Sequence, residues 1–155
     1  MIAAARNAEF YIDAIRKLAT PCIVHAVLNT WLNGWCTNRR FQRRLSRCCA
    51  DPACEGHDEL EHYAVCPHLR HGAEVFLDIP SRPASFAIFL RVHSDWKANA
   101  VMRALHMYAT RAVVHRGHHE AIRACSHADL LHLYRERLRH VACLSRPLRL
   151  VIPRL

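Results

Sequence analysis

The 155-residue chain is poor in several things. It has only 4 glycines and no low-complexity run, which argues against a disordered or Gly-rich linker protein. It has no uncharged apolar run approaching the roughly 20 residues that a membrane-spanning helix needs. Arg6, Glu9 and Asp13 interrupt any apolar stretch at the N-terminus, so no secretory signal is expected there. No G-x-S-x-G elbow, phosphate-binding P-loop or dinucleotide-binding glycine pattern occurs. There is no Asp-Asp pair of the kind that holds two catalytic metal ions, and no internal repeat of 20–50 residues. Lysine is nearly missing: Lys17 and Lys97 are the only two.

What is present is alanine, leucine, arginine and histidine, a composition that favours helix over strand. Hydrophobic residues make up 52% of the chain, enough for a real core. Lys+Arg 22 against Asp+Glu 13 gives a formal charge of +9, carried almost wholly by arginine. That balance suits a phosphate-rich partner, although a basic protein without such a partner has the same composition. Eight cysteines in a chain expected to be intracellular, nuclear or cytoplasmic, point to metal ligation or free thiols rather than a disulfide framework.

The spacing predicts a mainly α fold: a small helical domain with one zinc-stapled loop-helix knuckle. Residues 1–47 form a helical lead-in ending in a basic helix, 48–67 the knuckle, 68–145 a helical region and 146–155 a flexible basic tail. In the lead-in, Phe10, Ile12, Ile15 and Leu18 have helical spacing, Thr20-Pro21 opens a second helix, and Asn33-Gly34 stops it. Thr37 can cap a third helix that places Phe41 and Leu45 inside. Asp58, with Glu61 at N3, reads as a capping box for 59–66, and Pro67 limits that helix. Residues 84–92 read as a helix or a buried strand. Ser94 can cap a helix with Val101, Leu105, Tyr108 and Ala112 inside, ending at Gly117. Ser126 with Asp129 opens the last long helix. It buries Leu131, Tyr134 and Leu138 and turns Arg135, Arg137 and Arg139 to solvent.

Cys49, Cys54, His62 and Cys66 form C-x4-C-x7-H-x3-C, with Cys48 as an alternative to Cys49. Zinc prefers four soft or borderline ligands in a tetrahedron, and three thiolates with one imidazole satisfy it. Two cysteines on a tight loop supply one edge, and His62 and Cys66 at i, i+4 supply the other. With all four positions filled by protein, the single Zn2+ is structural, and no enzymatic role is expected. A weaker group, His115, His118, His119, Cys125 and His127, matches no zinc spacing well and reads equally as a polar helix end. His57-Asp58-Glu59 mimics the H-x-E of zinc deaminases, but the P-C-x-x-C that should follow is missing. Cys22 and His25, three apart, read as core packing before a nucleophile pair.

Arg39, Arg40, Arg43, Arg44 and Arg47 fall within nine residues that hold no acid. On a helix they can track a phosphate backbone, RNA or DNA, without reading its sequence. Any exposed ring among Trp31, Trp35, Phe41 and Tyr63 can stack on a base. Asp51, Glu55, Asp58, Glu59 and Glu61 crowd the knuckle itself, so binding is assigned to the arginine helix. The competing reading is a structural or protein-interaction module whose arginines pair with acids.

NGWCTNRRFQ, then the cysteines, then DELEHYAVCP resemble the zinc-binding region that follows the polymerase domain in reverse transcriptases of non-LTR retrotransposons. The residues that carry the likeness are Trp35, Thr37, Arg40, Phe41, Cys49, Cys54, Asp58, Glu61, His62, Tyr63 and Cys66, across roughly residues 25–70. The gap between the first cysteines is longer than is common in that family. The resemblance implies a C-terminal accessory module that helps hold template RNA or target DNA, without polymerase activity. It also allows a retroelement remnant with no present function.

Overall fold

The computed structural model describes residues 9, 11–13, 15–17, 20–35, 37, 53–79, 89, 97–119 and 126–152, without the side chains of 97–99, 116–119 and 151. These residues are mostly helical and carry no β-strand, as the composition predicts. The labelled helices are α1 (Pro21–Trp31), α2 (Leu60–Val65), α3 (Pro67–Leu77), α4 (Lys97–His119), α5 (His127–Leu144) and α6 (Arg146–Val151). None of them is long and apolar enough to cross a membrane.

Helix α4 is the centre of the packing. It lies against α1 on one side and against α5 and α3 on the other, while α5 also packs on α3 and α6. This placement explains why a single apolar stripe understates α4. Val101 and Leu105 are buried as expected, but so are Ala104, Met107, Ala109, Val113 and Val114, whereas Tyr108 and Ala112 are only partly covered. A helix buried on two sides loses the one-faced pattern that a surface helix shows. It also runs through Gly117 to His119 instead of stopping there.

The helix ends follow local chemistry. Pro21 occupies the first turn of α1 after an extended Thr20, as predicted, but the Thr20 hydroxyl meets Cys22 Sγ at 2.8 Å and makes no cap bond. At the other end Asn33 takes φ 51°, and Asn33 N–H and Gly34 N–H donate back to Thr30 and Asn29 carbonyls at 3.2 and 2.5 Å. That is a Schellman closure in which asparagine adopts the left-handed position and glycine follows it. In α5, Ser126 Oγ accepts from Asp129 N–H at 3.2 Å and donates to Asp129 Oδ2 at 2.9 Å, so the predicted N-terminal cap forms.

Residues 9, 11–13 and 15–17 are helical, and Tyr11 and Ile15 are the buried members; Phe10 and Leu18 lie outside the described residues. Tyr11 donates its hydroxyl to the Ala100 carbonyl at 3.0 Å, which fastens this segment to α4. Burial pushes its phenol pKa up. Between α4 and α5, His106 Nδ1 lies 2.7 Å from the Tyr134 hydroxyl and 3.3 Å from Thr110 Oγ1, all buried. Burial, helped by the Arg70 charge, holds His106 down at a pKa of about 4, so it is a neutral member of the core. Phe89, helical and buried, sets its ring edge-on to His106. The rest of 84–92 lies outside the described residues.

Two C-terminal expectations change. Arg146–Val151 is a helix, with Leu148 and Ile152 buried, where a loose tail was expected. Arg149 fixes it by donating to the Ala142 and Cys143 carbonyls at 2.9 and 3.0 Å, so that carbonyls at the end of α5 gain partners there. In α5, Tyr134 and Leu138 are buried but Leu131 only partly, with Leu130 taking the inner place. Arg135 is half-buried, with its Nε enclosed and unbonded, while Arg139 is exposed and pairs with Glu136 at 3.1 Å.

Candidate metal centre

The centre is built by a short loop and two consecutive helices. Cys54 comes from the loop before α2. His62 sits in α2, and Cys66 ends α2 and precedes α3. Pro67 forces this break, because it has no N–H to continue α2 and its ring suits the first turn of α3. Cys66, with φ −53° and ψ 121°, therefore projects from a corner and not from the continuous helical turn that its i, i+4 spacing from His62 suggests.

Cys54 Sγ lies 3.2 Å from His62 Nε2 and 3.8 Å from Cys66 Sγ, and the three ligand atoms all fall within 4.8 Å of one another. Two thiolates on a tetrahedral ion with bonds of about 2.3 Å stand about 3.8 Å apart, and a thiolate and an imidazole about 3.5 Å apart. The sulfur pair matches, and the sulfur–nitrogen pair is slightly tight. The sulfurs are far beyond the roughly 2.05 Å of a disulfide, so they are not bonded to each other. Cys54 and Cys66 are buried and His62 is half-buried, so the group can hold a metal ion on the edge of the core.

The surroundings fix the ligands. Tyr63, next to His62, is buried and stacks on Trp35 with ring centres 6.0 Å apart. Trp35 Nε1 donates to Thr30 Oγ1 at 3.0 Å, which ties α2 to the end of α1. Tyr63 donates its hydroxyl to buried Asp58 Oδ1 at 2.7 Å. Asp58 is thus not the cap of α2: Glu59 holds the N-cap position without a side-chain cap bond. Asp58 looks inward because a buried phenol needs an acceptor. Gly56 lies against the His62 ring, so that a Cβ there would overlap Cε1, Nδ1 and Nε2. Sequence reasoning missed both Gly56 and the Asp58–Tyr63 pair. A glycine between two ligands was the available signal for a close approach.

Of the predicted ligands, Cys54, His62 and Cys66 come together, while Cys49 and its alternative Cys48 lie outside the described residues. Arg39, Arg40, Arg43, Arg44 and Arg47, with Phe41, also lie outside them. Trp35 and Tyr63 are buried and so are withdrawn as base-stacking candidates, and Trp31 packs its ring 5.4 Å from Tyr11. Cys22 and His25 do not pair: Cys22 meets Thr20, and His25 meets the Asn29 amide at 3.0 Å. His115 is exposed on α4, His127 lies against α3, and Cys125 is outside the described residues.

No family model, no curated protein and no solved structure matches the chain. What fold and site define is therefore a class only: a mainly helical domain with a Cys-His-Cys group able to hold a metal ion.

Proposed function

We propose that the chain is a zinc-stabilised, non-enzymatic module that binds nucleic acid without sequence preference. It is similar in role to the tail of a non-LTR retroelement reverse transcriptase that lacks its polymerase domain. The convergence of Cys54, His62 and Cys66 carries the reading. Two thiolates and an imidazole are a donor set suited to zinc, and a third thiolate from Cys49, or from Cys48, would complete a closed structural site. A closed site has no open position for substrate or water.

The nucleic-acid part is supported by the formal charge of +9 and by the acid-free run Arg39, Arg40, Arg43, Arg44 and Arg47. Arginine provides planar, bidentate donors for phosphate. Three thiolates around Zn2+ leave a net charge of −1, and Glu55 and Glu61 are exposed nearby. The knuckle itself is thus a poor phosphate ligand, and the arginine run is the binding element. Free thiols at Cys22 and Cys143 fit a reducing nuclear or cytoplasmic setting.

The second reading is a structural or protein-interaction module. It is favoured by the exposed Leu32 and Leu150 and by the acids around the knuckle. Zinc stoichiometry by native mass spectrometry, with a chelator control, tests the metal. Binding to labelled RNA and DNA across a salt series tests the partner. Replacing the five arginines by glutamine should flatten the salt dependence. For every phosphate that is no longer neutralised, the slope falls by about 0.9 on duplex DNA or 0.7 on single strands. An unchanged slope in that variant would move the chain to the second reading.

A further inference from the structure

The first two turns of α3 and the first turn of α5 bring together three histidines: His68 and His71 share α3, and His127 lies 56 residues beyond the nearer of them. His68 Nδ1 and His127 Nδ1 stand 3.3 Å apart, with their rings edge to face at 5.3 Å. His71, one turn further along α3, has its ring centre 5.3 Å from that of His127. Glu74 Oε2 lies 3.6 Å from His71 Nδ1. His68 and His127 are half-buried and His71 is exposed, so the cluster opens to solvent.

We propose that His68, His71 and His127 form a second metal site, separate from the cysteine centre, for a borderline divalent cation such as Zn2+, Ni2+ or Cu2+. Two imidazole nitrogens bound tetrahedrally at about 2.05 Å stand about 3.3 Å apart, the separation found between His68 and His127. Without an ion the same contact is an imidazole–imidazole hydrogen bond. His71 reaches the same ion by a change of side-chain torsion, because it is exposed and sits at i, i+3 from His68. Glu74 then serves as the carboxylate that orients the outer nitrogen of His71, the usual arrangement around ligating histidines. The donor set is all nitrogen, which selects this group of ions over calcium or magnesium. Water fills the remaining position, and the ion exchanges readily.

Such an ion would clip α3 to α5 at the end where α5 begins. The site does not depend on the cysteine centre. Leu69, Ala73, Phe76 and Leu77 bury α3 against the core whether or not Cys66 holds a metal.

The test uses full-length chain with any affinity tag removed, titrated first to saturation of its tightest zinc and then with Ni2+ by calorimetry. The wild type is expected to take one further equivalent. His68→Gln/His127→Gln is expected to lose that equivalent, keep the tightest zinc and keep its far-ultraviolet dichroism. Cys66→Ser is expected to lose the tightest zinc and keep the Ni2+ site. His71→Ala is expected to weaken Ni2+ tenfold or more. The proposal falls if the wild type takes no further equivalent, or if the equivalent persists in the double variant. Retention of the tightest zinc in Cys66→Ser would instead fault only the cysteine assignment.

Discussion

Replacing Gly56 by alanine adds one methyl group to a surface loop, yet the structure predicts a large effect on metal affinity. The new Cβ would overlap three atoms of the His62 ring. Carbon contacts settle at about 3.5–4.0 Å, so the ring or the loop must retreat by more than about 1 Å. A metal–nitrogen bond of about 2.0–2.1 Å tolerates only about 0.2 Å. His62 therefore cannot stay on the ion unless the Cys54 loop moves as a whole, which would draw Cys54 off instead. Disturbing a group behind a ligand commonly costs 10–100-fold in affinity, so displacing a ligand costs at least about 100-fold, or about 2.8 kcal/mol. Competition for zinc against a chromophoric chelator reads this directly. Helix content should hardly change, because α4 and α5 are held by packing on each other and on α1, α3 and α6. Wild-type zinc affinity in Gly56→Ala would refute the placement of His62 as a ligand.

Three further outcomes are expected. The depressed pKa of His106, about 4 against an ordinary 6.5, means that the unfolded chain binds the extra proton first. This contribution to stability is complete above pH 6.5 and is lost as pH falls toward 4, on the order of 3 kcal/mol in all. Urea unfolding of the wild type and of His106→Asn at several pH values should show that difference in slope, and parallel curves would contradict it. Gly72→Ala sets a Cβ 3.1–3.2 Å from the Tyr134 ring, whose hydroxyl is held by His106. Overpacking of about 1–3 kcal/mol should outweigh the roughly 1 kcal/mol gained in helix propensity, and a more stable variant would disprove the close α3–α5 contact. Leu148→Ala should cost about 2–5 kcal/mol, because the side chain is fully buried. A change under about 0.5 kcal/mol, the scale of a surface substitution, would mean that α6 is not docked.

The helical class, the start of α1, the cap of α5 and the break at Pro67 are legible in the sequence because each rests on local chemistry: a proline at N1, an N-cap hydroxyl, a missing N–H. The Cys54–His62–Cys66 group is legible because its spacing alone limits how the three side chains can meet. The inner face of α4 is not. Its two buried sides come from neighbours on both flanks, and no one-faced period records that. Asp58 reads as a cap because the sequence does not show that Tyr63 needs a buried acceptor five residues away. The contact of His127 with His68 and His71 is illegible for a similar reason. It depends on how α5 crosses α3, which is set by Gly72 against Tyr134 and by Phe76 stacked on Tyr134 at 6.2 Å.

The same crossing explains why the Cys54–His62–Cys66 group lies at the edge of the fold and is not its foundation. The residues that hold α3, from Leu69 to Leu77, engage α4 and α5 through carbon contacts that need no ion. Helix α2 is different: it has six residues, too few to persist alone. It is held by Leu60 and by Tyr63 against Trp35 on one side, and by His62 and the Cys66 corner on the other. The loop 53–59 has still less, since Cys54 and Asp58 are its only buried side chains. An ion held there would act where apolar burial is smallest. It would join the loop to the end of α2, which the Trp35–Thr30 bond ties to the end of α1.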